Sequence, residues 1–96
     1  MSQYYTIQTL DGTDTPNFQT ISTNNTSVQS TAITARRILI TTGAQPTYVE
    51  FGTNPTASIA DFVIPANNQM IFNFKSGNKV AVYTATQSYT SILDLD

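Results

Sequence analysis

The sequence predicts an all-β domain: one small antiparallel β-sandwich, jelly-roll-like, or a barrel, of about eight short strands. Three observations carry that expectation. No stretch of ten or more residues shows the 3.6-residue period of an amphipathic helix. Short apolar runs rich in β-branched and aromatic residues recur from Arg36 onward. Clusters of Gly, Pro, Asn, Asp and Ser separate these runs at roughly the 8–12-residue spacing of sandwiches and barrels.

In chain order, residues 2–10 alternate loosely through Tyr4, Tyr5, Ile7 and Leu10 and read as a strand. Residues 11–16 make a turn by composition. Residues 17–23 alternate only in part, around Phe18 and Ile21, and 24–27 form a second polar turn. Residues 27–35 are rich in Ser, Thr and Gln, with Val28, Ala32 and Ile33 as the apolar content. Residues 1–35 therefore read as a polar N-terminal segment, either an arm or a set of edge strands. Residues 36–96 read as the sandwich core.

Within that core, Ile38-Leu39-Ile40 is a continuous apolar run, as expected of a strand covered on both faces. Tyr48-Val49-Glu50-Phe51 alternates, with Val49 and Phe51 on one face and Tyr48 and Glu50 on the other. Asp61 to Ile64 is a short strand ended by Pro65, and residues 89–95 form the last one. The clearest local signal is the pair of runs 70–75 and 79–83 around Gly77-Asn78. It predicts a hairpin with a II′ turn, in which Met70, Phe72 and Phe74 pair across the strands with Val80 and Val82. The expected core is Ile38, Ile40, Val49, Phe51, Phe62, Ile64, Phe72, Phe74, Val80, Val82 and Ile92.

Composition narrows the function. The chain of 96 residues is enough for one domain, and it contains neither histidine nor cysteine. That removes the commonest general base, the thiol nucleophile, disulfides and the commonest metal ligands. The remaining carboxylates, Glu50, Asp61, Asp94 and Asp96, show no pattern of a catalytic pair. The chain is expected to be no enzyme and to use no cofactor and no metal. Asp11 and Asp14 suggest a calcium loop only superficially, because the further acidic ligands of that pattern are missing. Ser76-Gly77-Asn78-Lys79 lacks the glycines and the following helix of a phosphate loop. Four basic residues and a net charge of −2 argue against nucleic-acid partners, and no apolar run is long enough for a membrane helix. Charged residues make up 10% of the chain against about a quarter in ordinary soluble domains, a surface suited to contact with other protein. The start of the chain shows neither a basic nor an apolar signal region, so synthesis in a cytoplasm is expected.

From Arg36 to Leu95, four motifs stand in order: Arg37-Ile38-Leu39-Ile40, then Val49-Glu50-Phe51-Gly52-Thr53-Asn54-Pro55-Thr56-Ala57, then Ile64-Pro65-Ala66-Asn67, then Gly77-Asn78-Lys79-Val80-Ala81-Val82. This series resembles small all-β structural proteins of tailed-bacteriophage virions, of the capsid decoration or cement kind. The resemblance implies a β-sandwich and a place in the virion, on the capsid surface, with the major capsid protein as partner. Its alternatives are a carbohydrate- or host-surface-binding module of a tail or head fibre, and a head-to-tail connection protein. A small core and a weakly charged surface add the expectation of a homo-oligomer, and the resemblance, through the three-fold positions at capsid joints, implies a trimer. The candidate interface residues are Tyr4, Tyr5, Tyr48 and Tyr83, because tyrosine joins an apolar ring to a polar tip and is enriched in interfaces. Alternation turns Tyr48 and Tyr83 away from the core.

Overall fold

The structure is a computed structural model and describes residues 18–95. The expected strand at 2–10, the turn at 11–16, Tyr4, Tyr5 and Asp96 lie outside these residues. Eight strands follow one another: β1 (Phe18–Thr23), β2 (Val28–Gln29), β3 (Arg37–Thr41), β4 (Thr47–Gly52), β5 (Phe62–Ile64), β6 (Gln69–Asn73), β7 (Lys79–Tyr83) and β8 (Ser88–Asp94). They form two four-stranded antiparallel sheets, A in the order β1-β8-β3-β6 and B in the order β2-β7-β4-β5. This is a jelly roll. Among the described strands every connection crosses from one sheet to the other except β4 to β5, the only consecutive pair of these that is hydrogen-bonded together. β1 and β2 stand at the edges of sheets A and B respectively.

That wiring corrects the expected hairpin. β6 pairs with β3 in sheet A, whereas β7 pairs with β2 and β4 in sheet B. The turn chemistry explains why. Asn78 N–H donates to the Lys75 carbonyl at 3.1 Å, so Ser76 and Gly77 are the central residues, and Gly77 alone has φ of +96°. Positive φ only at the third turn position is the type II pattern, not II′. A type II turn splays its flanking strands instead of matching their twist. The apolar residues of β6 and β7 therefore meet across the sandwich and not side by side in one sheet.

The core lies between the two sheets. Ile21, Ile33, Ala35, Ile38, Ile40, Val49, Ile64, Phe74, Val80, Val82 and Ile92 form one cluster, with Phe51, Met70 and Phe72 packed against it. Phe51 on β4 bridges the layers: its ring meets Phe72 at 5.3 Å and 89°, and Phe74 at 5.2 Å and 69°. Both are edge-to-face arrangements that aromatic quadrupoles favour. Ile38, Leu39 and Ile40 are all buried, as a continuous apolar run requires.

Phe62 departs from the expected core. It is 54% exposed and touches Phe72 by an edge contact at 6.0 Å. The reason is positional, since β5 is a three-residue strand at the edge of sheet B. An inward-facing ring there reaches only the open rim of the sandwich. Ile21, Ile33 and Ala35 take part instead. Ile33 is held against the β6–β7 turn: its N–H donates to the Asn78 carbonyl at 2.9 Å, and its carbonyl accepts from Gly77 N–H at 2.7 Å. Just before it, Ser30 Oγ accepts from Val80 N–H at 2.9 Å, continuing the β2–β7 pairing with a side chain where the strand ends.

Candidate interaction surface

Among the described residues the interior is apolar apart from a set of hydroxyls. Of these, Thr23, Thr47, Thr84, Ser88 and Thr90 are buried at the end where β1 finishes and β8 begins. Thr23 and Thr84 hydroxyls share a hydrogen bond at 2.6 Å, and Thr47 Oγ1 donates to the Gln45 carbonyl at 3.0 Å. Ser88 Oγ and Thr90 Oγ1 have no partner among the described residues. Of the described carboxylates, Glu50 and Asp61 lie one step beyond the Val49–Phe62 pair in the register of β4 and β5, and Asp94 lies on β8 of sheet A. Glu50 is exposed on β4, and Asp61 caps its own loop by accepting from Ser58 N–H at 2.7 Å. Asp94 lines a groove of about 300 Å³ with Phe18, Gln19, Thr31, Ala32 and Thr34. Among the described residues no three His, Cys, Asp or Glu side chains come together as metal ligands would.

The outer faces of the two sheets carry further candidate features. On the outer face of sheet B, Tyr83, Tyr48 and Val63 stand in one cross-strand row, Tyr48 being opposite Tyr83 on one side and Val63 on the other. The two rings are 6.1 Å apart and tilted by 47°. Tyr83 Oη donates to Asn25 Oδ1 at 2.7 Å, which fixes the ring, and Asn25 itself is set by a left-handed turn with φ of 56°. Both tyrosines are half-buried and Val63 is exposed. The neighbouring part of the same face is tied to the β4–β5 loop. Gln29 Nε2 donates to Asn54 Oδ1 and to the Pro55 carbonyl, both at 2.8 Å, and Ala57 N–H donates to Ser27 Oγ at 2.9 Å. Ala81, opposite Gln29, is buried although it faces outward.

The outer face of sheet A carries a second row that alternation alone leaves to solvent. Phe18 is opposite Leu93, Leu93 opposite Leu39, and Leu39 opposite Ile71, so one apolar residue from each of the four strands lies in line. The central two are buried, and the end residues Phe18 and Ile71 are exposed. The usable signal was the unbroken apolarity of 38–40 and 70–72, which leaves no polar residue for the outer side.

A polar groove of about 590 Å³ lies at one end of the sandwich, lined by Thr41, Thr42, Asn67, Asn68 and Gln69. Thr42 organises it. Its hydroxyl donates to the Pro65 carbonyl at 2.7 Å and accepts from Asn68 N–H at 2.9 Å, and Asn67, with φ of 55°, donates its N–H to the Gly43 carbonyl at 2.7 Å. Among the described residues no aromatic ring and no charge lines it.

No protein-family model matches the chain, and no curated protein matches it. Solved structures are similar in fold. Hydroxypropylphosphonic acid epoxidase from S. wedmorenis, in complex with fosfomycin, superposes with a TM-score of 0.56 at 7% identity over 82% of this chain. The same enzyme in another structure gives 0.54 at 10% identity. A de novo designed double-stranded β-helix gives 0.56 at 11% identity, over 80% of this chain and 96% of the design. This chain spans 43% of the epoxidase chain in the fosfomycin complex. At these identities the likeness establishes the jelly-roll architecture and nothing about activity.

Proposed function

We propose that this protein is a non-catalytic structural component of a virus particle, a capsid decoration protein that docks on the major capsid protein through the outer face of its jelly roll. The observation that carries the reading is the Tyr83–Tyr48–Val63 row. It offers two half-buried phenol rings and an exposed aliphatic side chain on a rigid sheet, and only ten of the chain's 96 residues are charged. Such a surface gives a partner apolar area together with hydrogen-bonding tips, the composition favoured at the centre of protein interfaces. The interior supports the non-catalytic side of the proposal. It is filled by Ile, Val and Phe side chains and by hydroxyls, with no His or Cys in the sequence to serve as base, nucleophile or soft metal ligand. The four motifs that resemble virion proteins map onto β3, the β4 strand and its following loop, the end of β5, and the β6–β7 turn with β7.

The test is copy number. Quantitative mass spectrometry of purified particles from cells making this protein is expected to find it in hundreds of copies per particle. A handful of copies would move it to the tail, a fibre or the head-to-tail connection. Its absence from particles would overturn the virion reading altogether.

A further inference from the structure

The outer edge of β6 is built to pair with itself. β6 and β3 are antiparallel with Ile38 opposite Phe72 and Ile40 opposite Met70. The flanking bonds fix which residues face β3: Phe74 N–H donates to the Arg36 carbonyl at 2.7 Å, and Thr42 N–H to the Asn68 carbonyl at 2.9 Å. Antiparallel pairing alternates, so residues 68, 70, 72 and 74 exchange their bonds with β3. The N–H and C=O groups of Gln69, Ile71 and Asn73 consequently point the other way, off the edge of sheet A, where no described strand pairs with them; Gln69 N–H donates there to Asn68 Oδ1 at 2.9 Å, an exposed bond that a second strand would replace.

Proteins usually guard such an edge with lysine, proline, a bulge or a covering loop. β6, Gln-Met-Ile-Phe-Asn, has no charge and no proline, and its pairing with β3 is continuous. It is also symmetric about Ile71. Laid antiparallel against a second β6, Ile71 meets Ile71, Met70 meets Phe72, and Gln69 meets Asn73. The three residues whose polar groups point outward are then the three that bond across the new junction. Ile71 ends the apolar row of the outer face and is 43% exposed, while its neighbour in the row, Leu39, is 8% exposed. Pairing would continue that row through the second copy and cover Ile71 from its open side.

We propose that β6 is a homodimer interface, in which two copies join edge to edge about a two-fold axis at Ile71 and merge their A sheets into one eight-stranded sheet. The contact is isologous, since the same strand serves both partners. It differs from the trimer that the resemblance to capsid proteins implies, which needs two different surfaces, and it does not depend on where the protein works.

The test combines light scattering with hydrogen exchange on the full chain. Across a micromolar-to-millimolar concentration series the wild type should move from the chain mass to twice that mass. Ile71→Lys, which places two ammonium groups opposite each other at the axis, should stay at the chain mass, with a thermal midpoint equal to that of the dilute wild type. On the wild type alone, the amides of Gln69, Ile71 and Asn73 should exchange about tenfold slower when nine-tenths of the chains are dimeric than when dilute. That readout holds even if Ile71→Lys does not fold. A monomer at every concentration, a trimer, or a dimer in which those three amides exchange at the dilute rate would overturn the proposal.

Discussion

Three phenylalanines that alternation places on the same inner side differ sharply in what they hold, and their truncations should rank accordingly. Phe74 is 7% exposed, packs edge-to-face on Phe51, and belongs to the central cluster. Phe74→Ala removes nearly a whole buried ring and leaves a cavity, a loss of about 3–5 kcal/mol. For 96 residues the unfolding entropy is about 0.2 kcal/mol per kelvin, so the midpoint should fall by about 15–25 °C. Such a loss is a large part of the roughly 5–15 kcal/mol that stabilises a domain of this size. Phe72 is half-buried on an edge strand, and its truncation should cost about half as much. Phe62→Ala, at the rim, should cost about 1 kcal/mol or less, since more than half of the residue is already in water. Thermal and urea unfolding of the three variants, each checked for two-state behaviour, gives the ranking directly. Equal losses at Phe62 and Phe74 would refute the placement of β5 at the rim. A Phe51→Ala/Phe74→Ala double-mutant cycle should show coupling of about 0.5–1.5 kcal/mol, and strict additivity would mean that the two rings do not meet.

Two glycines should fail for different reasons. A Cβ on Gly77 meets nothing within 4 Å, but φ of +96° is poorly suited to an L side chain, so Gly77→Ala should lose about 1–2 kcal/mol in urea unfolding through backbone strain. At Gly43 a Cβ would stand 2.8 Å from both Ser88 Oγ and the Tyr89 carbonyl, so Gly43→Ala should lose about 1–3 kcal/mol by crowding β3 away from the start of β8. Relief by Ser88→Ala should be partial, because the backbone carbonyl remains. Thr90→Val should be neutral or stabilise by about 1 kcal/mol, as it replaces a buried hydroxyl with no partner among the described residues by a methyl of the same size. A loss above 1 kcal/mol in thermal unfolding would show that the hydroxyl is satisfied.

The all-β class and most strands of the second half were legible because alternation and turn residues act locally. Val49 and Phe51 are turned inward and Tyr48 and Glu50 outward, as the four-residue pattern requires. The partner of each strand was not legible in the same way. Ser-Gly-Asn between two apolar runs reads equally well as a hairpin and as a corner, and the choice rests on which residue takes the positive φ. Ile33 was undervalued because its neighbours are polar; it is buried through backbone bonds to residues 77 and 78, far away in sequence. The row Phe18–Leu93–Leu39–Ile71 could not be seen before pairing, since it consists of one residue from each of four strands brought together by register. The tyrosines of β4 and β7 faced the same limit. Alternation sends each outward, but only the Tyr48–Tyr83 register makes them one surface.

Particle retention of a Tyr48→Ser/Tyr83→Ser variant tests the proposed docking face most directly. The variant and the wild type, each added to particles lacking the protein, are compared by the fraction that sediments with the particles. The double substitution should keep cooperative unfolding, because both rings lie outside the core cluster, and should lose most of the bound fraction. Retention equal to wild type, with the fold intact, would contradict docking through the outer face of sheet B.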